Sequence, residues 1–205
     1  MTVWKTWPHV DPCIPKPNPQ SLTAAGRTDL FDRPAHLDER ALEDAAIAAG
    51  GDGRDVALLL SQRKAQAVST LHPGALVIGA DQTLSLGPQL LHKSSDRQGA
   101  AEQLDQLKGK THRLHAGVSL VRDGSVLWSD IQSAELTMRD FTDAERDDVL
   151  GREGDAVLTS VGGYRLEGPS IRLFETVSGD YFTILGLPLL PLLSALRSLA
   201  PETLQ

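Results

Sequence analysis

The sequence contains a single cysteine, Cys13, among 205 residues. That excludes a disulfide within the chain and makes a reducing compartment the natural setting. No apolar run approaches the roughly twenty residues needed to span a bilayer. The first residues also lack a basic-then-apolar signal pattern, so the expectation is a cytoplasmic protein with no membrane partner. Positive charge is scarce, with 20 Lys and Arg against 27 Asp and Glu and a net charge of -7. Such a balance argues against gripping nucleic acid through a broad basic surface. A bound polyanion must instead be held by a few placed lysines and a metal ion. Internal repeats are absent as well.

The chain is 40% hydrophobic and 23% charged, enough to bury a core in one domain or two small lobes. Its organising stretch is Leu76 to Thr83, "LVIGADQT". Val77 and Ile78 suit a buried strand, Gly79 suits a close turn, and Asp81 is delivered where α/β proteins bind ligands. Taken alone, Asp81 also reads as a turn residue closing the strand. Before it, Pro8, Pro12, Pro15, Pro17, Pro19 and Pro34 mark residues 1 to 35 as extended or loop-like, and a fold-opening strand is hard to find. Ser21 to Ala25 could form a short helical piece. Asp38 and Glu39 stand at a helix entrance, where paired acids commonly complement the helix dipole.

Arg54 to Val68 reads as a helix with Val56, Leu59, Leu60 and Ala67 on its apolar stripe, and Lys64 in its last turns as a dipole partner. Gly50 to Gly53 is the only linker-like segment. Lys93 precedes a second helix that Ser95 and Gln98 would cap, with Ala101, Leu104 and Leu107 inward and Gly109 as its stop. A helix N-terminus favours anions, so a lysine there suits a phosphate site better than the helix. Thr111–Val121 and Val126–Met138 read as long antiparallel strands joined at Asp123-Gly124. His112 and His115 then fall on opposite faces and do not share a metal. Thr142 and Glu145 have capping-box spacing for a helix ending by Gly151. "IRLFETV" and "DYFTIL" read as paired strands, and Pro191 begins a packing helix over Leu192–Leu199.

In this order the pieces resemble the Maf family of nucleoside triphosphate pyrophosphatases, also described as septum formation inhibitors. The resemblance runs from about Leu37 to Leu199. It rests on "DER" at 38–40, "RKAQAV" at 63–68, "IGADQT" at 78–83, "HKSSD" at 92–96, "LKGKTHRLHAGV" at 107–118, "GGYRLEG" at 162–168 and "GDYFTILGLPL" at 179–189. It implies an α/β fold, elongated and similar to inosine triphosphatase. A central mixed twisted sheet, flanking helices and a cleft between two lobes go with it, often as a homodimer. The same resemblance implies hydrolysis of a nucleoside triphosphate to the monophosphate and pyrophosphate with Mg²⁺ or Mn²⁺. In that reading Lys64 and Lys93 supply fixed positive charge, Glu39 and Asp81 hold the metal, and Asp81 accepts the proton of the attacking water. A triphosphate carries about four negative charges that must be neutralised before attack at phosphorus, which suits this residue set.

Gln82 together with Glu167 is similar to the 7-methyl-GTP type of the family; the dTTP/UTP type has Thr and Gln there. A carboxylate only accepts hydrogen bonds, and guanine offers adjacent donors, whereas an amide matches the mixed edge of uracil or thymine. "GDYFTILGLPL" points the other way, toward the pyrimidine type. The chain also departs from the family. Its members open with a strand and a loop of the form "LASxSxRR" that engages phosphates, and here "DPCIPKPNPQ" stands instead. Prolines remove backbone donors, and Lys16 cannot replace a bidentate arginine. The chain thus divides into an atypical segment, 1–30, and a Maf-like domain, 31–205. A catalytically impaired protein that binds nucleotide or a cell-division partner is the alternative. A second departure, Ser94 in place of the usual proline after the lysine, is tolerable.

Overall fold

A computed structural model describes residues 2–6, 29–32 and 37–204. Among these residues the sheet has seven strands: β1 (Thr2–Thr6), β2 (Asp29–Asp32), β3 (Leu76–Leu86), β4 (Gln89–Leu91), β5 (Thr111–Arg122), β6 (Ser125–Met138) and β7 (Phe174–Ser178). Their order is β2-β1-β3-β5-β6-β7, with β4 beside the far end of β3. β1 runs parallel to both β2 and β3, whereas β3, β5, β6 and β7 pair antiparallel in turn, so the sheet is mixed, as expected. A fold-opening strand does exist, with Trp4 opposite Val77. It escapes the proline argument because the first proline, Pro8, follows the end of the strand. The short helical piece expected at Ser21–Ala25 lies outside the described residues.

Among the described residues six α-helices flank the sheet: α1 (Glu39–Ala48), α2 (Gly53–Ser69), α3 (Arg97–Leu107), α4 (Asp143–Glu153), α5 (Tyr181–Ile184) and α6 (Leu189–Leu199). Strand alternation sorts the packing. Ile78 and Ala80 of β3 bury against α6, and Leu84 joins a second cluster with Leu104, Val149 and Tyr164. The odd positions Val77, Gly79, Asp81 and Thr83 face α2, where Val77 packs with Ala65 and Val68. The sheet therefore carries two apolar clusters on one face and α2 on the other.

β3 does not stop at Gly79 as the sequence suggested. It continues to Leu86, and Asp81 sits mid-strand opposite Gly117. Gly79 serves close approach rather than a turn: a Cβ there would lie 2.1 Å from the Ser61 carbonyl oxygen and 2.7 Å from Ala65 Cβ. Gly117 repeats the device, with a Cβ falling 2.5 Å from the Ala57 carbonyl oxygen. These two glycines let α2 lie directly on the sheet, and a Ser61–Ser119 hydroxyl bond of 2.7 Å seals the contact. Gly79→Ala must therefore lift α2. We expect a loss of about 2–3 kcal/mol or more in urea unfolding, and a variant as stable as the parent would show that the contact relaxes freely.

Several local expectations are corrected. The buried stripe of α2 runs through Val56, Ala57, Leu60, Ser61, Lys64, Ala65 and Val68; Leu59 and Ala67 are only partly buried. Asp52 and Asp55 form its capping box. Asp96, not Ser95, caps α3, accepting from Gly99 N at 2.8 Å, and Gln98 instead bonds Glu102. Ala100, Leu104 and Leu107 are the buried residues of α3, with Ala101 only partly so. Thr142 and Glu145 cap α4 as the spacing indicated, but that helix runs past Gly151 to Glu153. "DYFTIL" forms the short helix α5, not a strand paired with β7. Gly179 takes φ 139° and Asp180 caps the turn through Thr183 N at 3.0 Å, which ends extended structure there. α6 begins at Leu189, two residues before Pro191, because a proline in the first turn forfeits no internal bond.

Candidate active site

Asp81 is 5% exposed in the middle of β3, and Lys64 on α2 is fully buried. The close seat of α2 over Gly79 brings the Lys64 ammonium onto Asp81 Oδ1, to which it donates a hydrogen bond. Lys64 is thus part of the buried stripe and not a surface partner of the helix dipole. Its ammonium also stands 3.0 Å from Glu39 Oε2. The acid pair at the entrance of α1 divides its work: Asp38 caps the helix, accepting from Ala41 N at 3.0 Å, and Glu39 reaches Lys64.

Burial holds the Asp81 carboxyl up at about 6, with Lys64 and then Lys93 pulling it down and Glu39 adding to the rise. Lys93, in the loop between β4 and α3, is depressed from its ordinary value by burial and next by the Lys64 charge, while Asp81 and Glu39 oppose that shift. Glu39, Lys64 and Lys93 all act on Asp81, and Glu39, Lys64 and Asp81 all act on Lys93, so the four groups lie within electrostatic range of one another. Glu39, Lys64 and Asp81 are in contact, and Lys93 stands within range of their charges.

Gln82 is different. Its side chain points to the opposite sheet face, where Nε2 donates to the carbonyl oxygens of Thr183 at 3.1 Å and Ile184 at 3.0 Å. Both amide hydrogens are spent on the end of α5, leaving Oε1 as the available atom. Glu167 lies in the loop after α4, and its ion-pair partner is Arg165 at 3.6 Å. No contact between Glu167 and the Asp81 cluster occurs among the described residues.

The histidines occupy opposite faces, as the strand spacing required. His112 bonds the Tyr164 hydroxyl at 2.7 Å, and burial pushes it down to about 4 while pushing the Tyr164 phenol up. His115 bridges the Ser85 and Ser133 hydroxyls at 2.8 Å each, and burial lowers it too. Among the described residues no group of three or more His, Cys, Asp or Glu side chains could hold a metal unaided.

Sequence reasoning missed Glu153. Its side chain is 1% exposed, accepts from Ser170 N at 3.0 Å and Ser170 Oγ at 2.7 Å, and lies 3.8 Å from Arg165 Nε. One signal was available: an acid as the last residue of a helix opposes the dipole and needs another reason to be there.

The class defined by this architecture is a mixed α/β protein whose central strand sets a buried carboxylate against a buried ammonium, with a second acid in contact and a second lysine in electrostatic range. The family described as Maf-like protein matches residues 20–199, and the chain belongs to that family. It is 52% identical over 163 residues to a 7-methyl-GTP pyrophosphatase of Brucella suis biovar 1 (strain 1330), covering 80% of this chain and 82% of that protein. With a 7-methyl-GTP pyrophosphatase of Mesorhizobium japonicum (strain LMG 29417 / CECT 9101 / MAFF 303099) it shares 51% over 171 residues, 83% of this chain and 86% of the relative. A nucleoside triphosphate pyrophosphatase of Rhodopseudomonas palustris (strain ATCC BAA-98 / CGA009) is 51% identical over 166 residues, 80% and 81% of the two chains. "DPCIPKPNPQ" at 11–20, expected from the resemblance to stand in place of a phosphate loop, lies outside the described residues.

Proposed function

We propose that this protein is a nucleoside triphosphate pyrophosphatase working on 7-methyl-GTP or another modified nucleotide, with Asp81 as its base. The observation that carries this reading is the Glu39–Lys64–Asp81 contact with Lys93 beside it. Asp81, poised near 6, is ionised at neutral pH yet basic enough to take a proton. A water oxygen bonds to the α-phosphorus as the bond to the bridging oxygen breaks. Pyrophosphate leaves with that electron pair, and the proton of the water goes to Asp81. Lys64 and Lys93 hold the phosphates against the site and offset their charge.

Glu39 and Asp81 are the residues that would hold a divalent metal of the Mg²⁺ or Mn²⁺ kind in this reading, since sharing the Lys64 ammonium brings the two acids close together while each carboxylate keeps a second oxygen. Two protein carboxylates completed by phosphate oxygens and water suit Mg²⁺, which seldom has an all-protein cage. Such an ion supplies charge neutralisation at the phosphates and eases loss of a proton from water. A cytoplasmic setting is part of this reading, supported by the lone Cys13. Among the described residues no helix is long and apolar enough to cross a membrane. A homodimer without nucleic acid completes it.

The test is a panel of 7-methyl-GTP, UTP, dTTP and CTP, read as pyrophosphate formed. Release from one or more of them with Mg²⁺ or Mn²⁺ is expected, at a modest rate given the proline-rich opening segment. Binding without release would favour the catalytically impaired alternative. Glu167 reads the base in this proposal, so Glu167→Gln is expected to shift preference toward UTP or dTTP by about tenfold, the worth of one charge-assisted hydrogen bond. An unchanged substrate profile would remove Glu167 from base reading.

A further inference from the structure

The buried acid Glu153 has no place in the chemistry above, and its surroundings give it one. The turn from Arg165 to Gly168 is closed by Gly168 N donating to the Arg165 carbonyl at 3.2 Å, which leaves Leu166 and Glu167 at its tip. Glu153 grips the far side of this turn. Its Oε1 takes both Ser170 donors, and a Cβ on Gly168 would lie 2.3 Å from the same oxygen. Tyr164 anchors the near side through His112 and an edge-on contact with Phe174 at 4.9 Å.

Between the two acids stands Arg165. Its Nε is 3.8 Å from Glu153 Oε2 and 3.6 Å from Glu167 Oε1, and this buried nitrogen makes no hydrogen bond. Both separations exceed hydrogen-bond length, so the guanidinium nitrogen is shared by charge and donates to neither acid. A carboxylate that is not hydrogen-bonded to its counter-ion keeps its lone pairs for outside donors. We propose that Glu153 is a specificity-determining positioning residue: by competing for the Arg165 charge, it keeps the guanidinium from closing onto Glu167 and leaves that carboxylate free to accept from the donor edge of a purine base. This rests on Glu167 reading the base.

Neutralising Glu153 releases Arg165 to Glu167 alone, where it forms a charge-assisted bond and occupies the carboxylate. Glu153→Gln keeps an oxygen for Ser170 and removes only the charge. The expected result is an approximately tenfold rise in KM for 7-methyl-GTP with kcat little changed, and no comparable rise for UTP. Removing the released cation should then restore the acceptor, so Glu153→Gln/Arg165→Gln is expected to return KM toward the parent value. A purely structural role would give the opposite, the double variant being at least as impaired as the single one. Equal losses for both nucleotides, no change in KM, or failure of the second substitution to rescue would each overturn the proposal. Circular dichroism melts establish that each variant is folded; if Glu153→Gln is not, Arg165→Lys serves in its place. Its shorter head is expected to leave Glu167 free and KM unchanged, and a tenfold rise there would sink the idea. Glu167→Gln separates the two readings: a flat profile in that variant removes base reading itself, whereas a shifted profile with a silent Glu153→Gln removes only the role of Glu153.

Discussion

Asp81→Ala is expected to release pyrophosphate from the preferred nucleotide at least about a hundredfold more slowly than the parent, within the range that a positioned general base contributes. The carboxylate sits mid-strand, 5% exposed and bonded to a buried lysine, so no neighbouring water can take over its function cheaply. Asp81→Asn is the stricter variant, since it keeps the shape and loses the proton acceptor. Single-turnover measurement of pyrophosphate at saturating nucleotide separates a slow chemical step from weak binding. An Asp81→Ala protein as active as the parent would remove Asp81 from the mechanism and leave Lys64 with a purely structural partner.

Lys64→Met is expected to be costly to the fold in a way that depends on pH. Lys64 is fully buried between two carboxylates, and deleting one member of a buried pair typically costs about 3–5 kcal/mol. The sign follows from Asp81. Its folded value is about 6 against 3.8 for the ordinary side chain, so between those values the folded protein binds the extra proton. Stability from this group therefore falls as pH rises through that window, and the full cost of ionising buried Asp81 is present above about 6. Lys64 reduces that cost. Its removal raises Asp81 further and extends the loss to higher pH. Urea unfolding of metal-free protein should thus show a larger parent–variant difference at pH 8 than at pH 5, where the parent Asp81 is already mostly protonated. Equal differences at the two values would mean that Asp81 and Lys64 are not coupled in the fold.

Much of this was legible along the chain. The long β5–β6 hairpin, the Thr142 cap and the opposed histidines follow from period-two alternation and local side-chain bonding, which act over a few residues and leave a pattern in sequence. Local signals failed where two of them competed. Gly79 looked like the end of a strand because glycine permits turns, but its lack of a side chain serves a helix lying across it. "DYFTIL" has strand-like composition, yet the capping bond of Asp180 after Gly179 turns it into a helix. Gln82 follows Asp81 in the chain yet faces the other side of the sheet, because neighbours on a strand alternate.

By itself the sequence determined the residue types: two acids and two lysines in a chain short of positive charge, within motifs spread from 38 to 189. Their convergence belongs to the tertiary structure. Lys64 meets Asp81 because glycines in two paired strands admit α2 to the sheet surface, and it meets Glu39 because α1 is capped one residue earlier. The sharing of Arg165 between Glu153 and Glu167 is likewise a product of packing. Distances of a few ångströms between residues far apart in the chain are set by which faces pack and how closely, and that is decided by the backbone contacts of many residues at once.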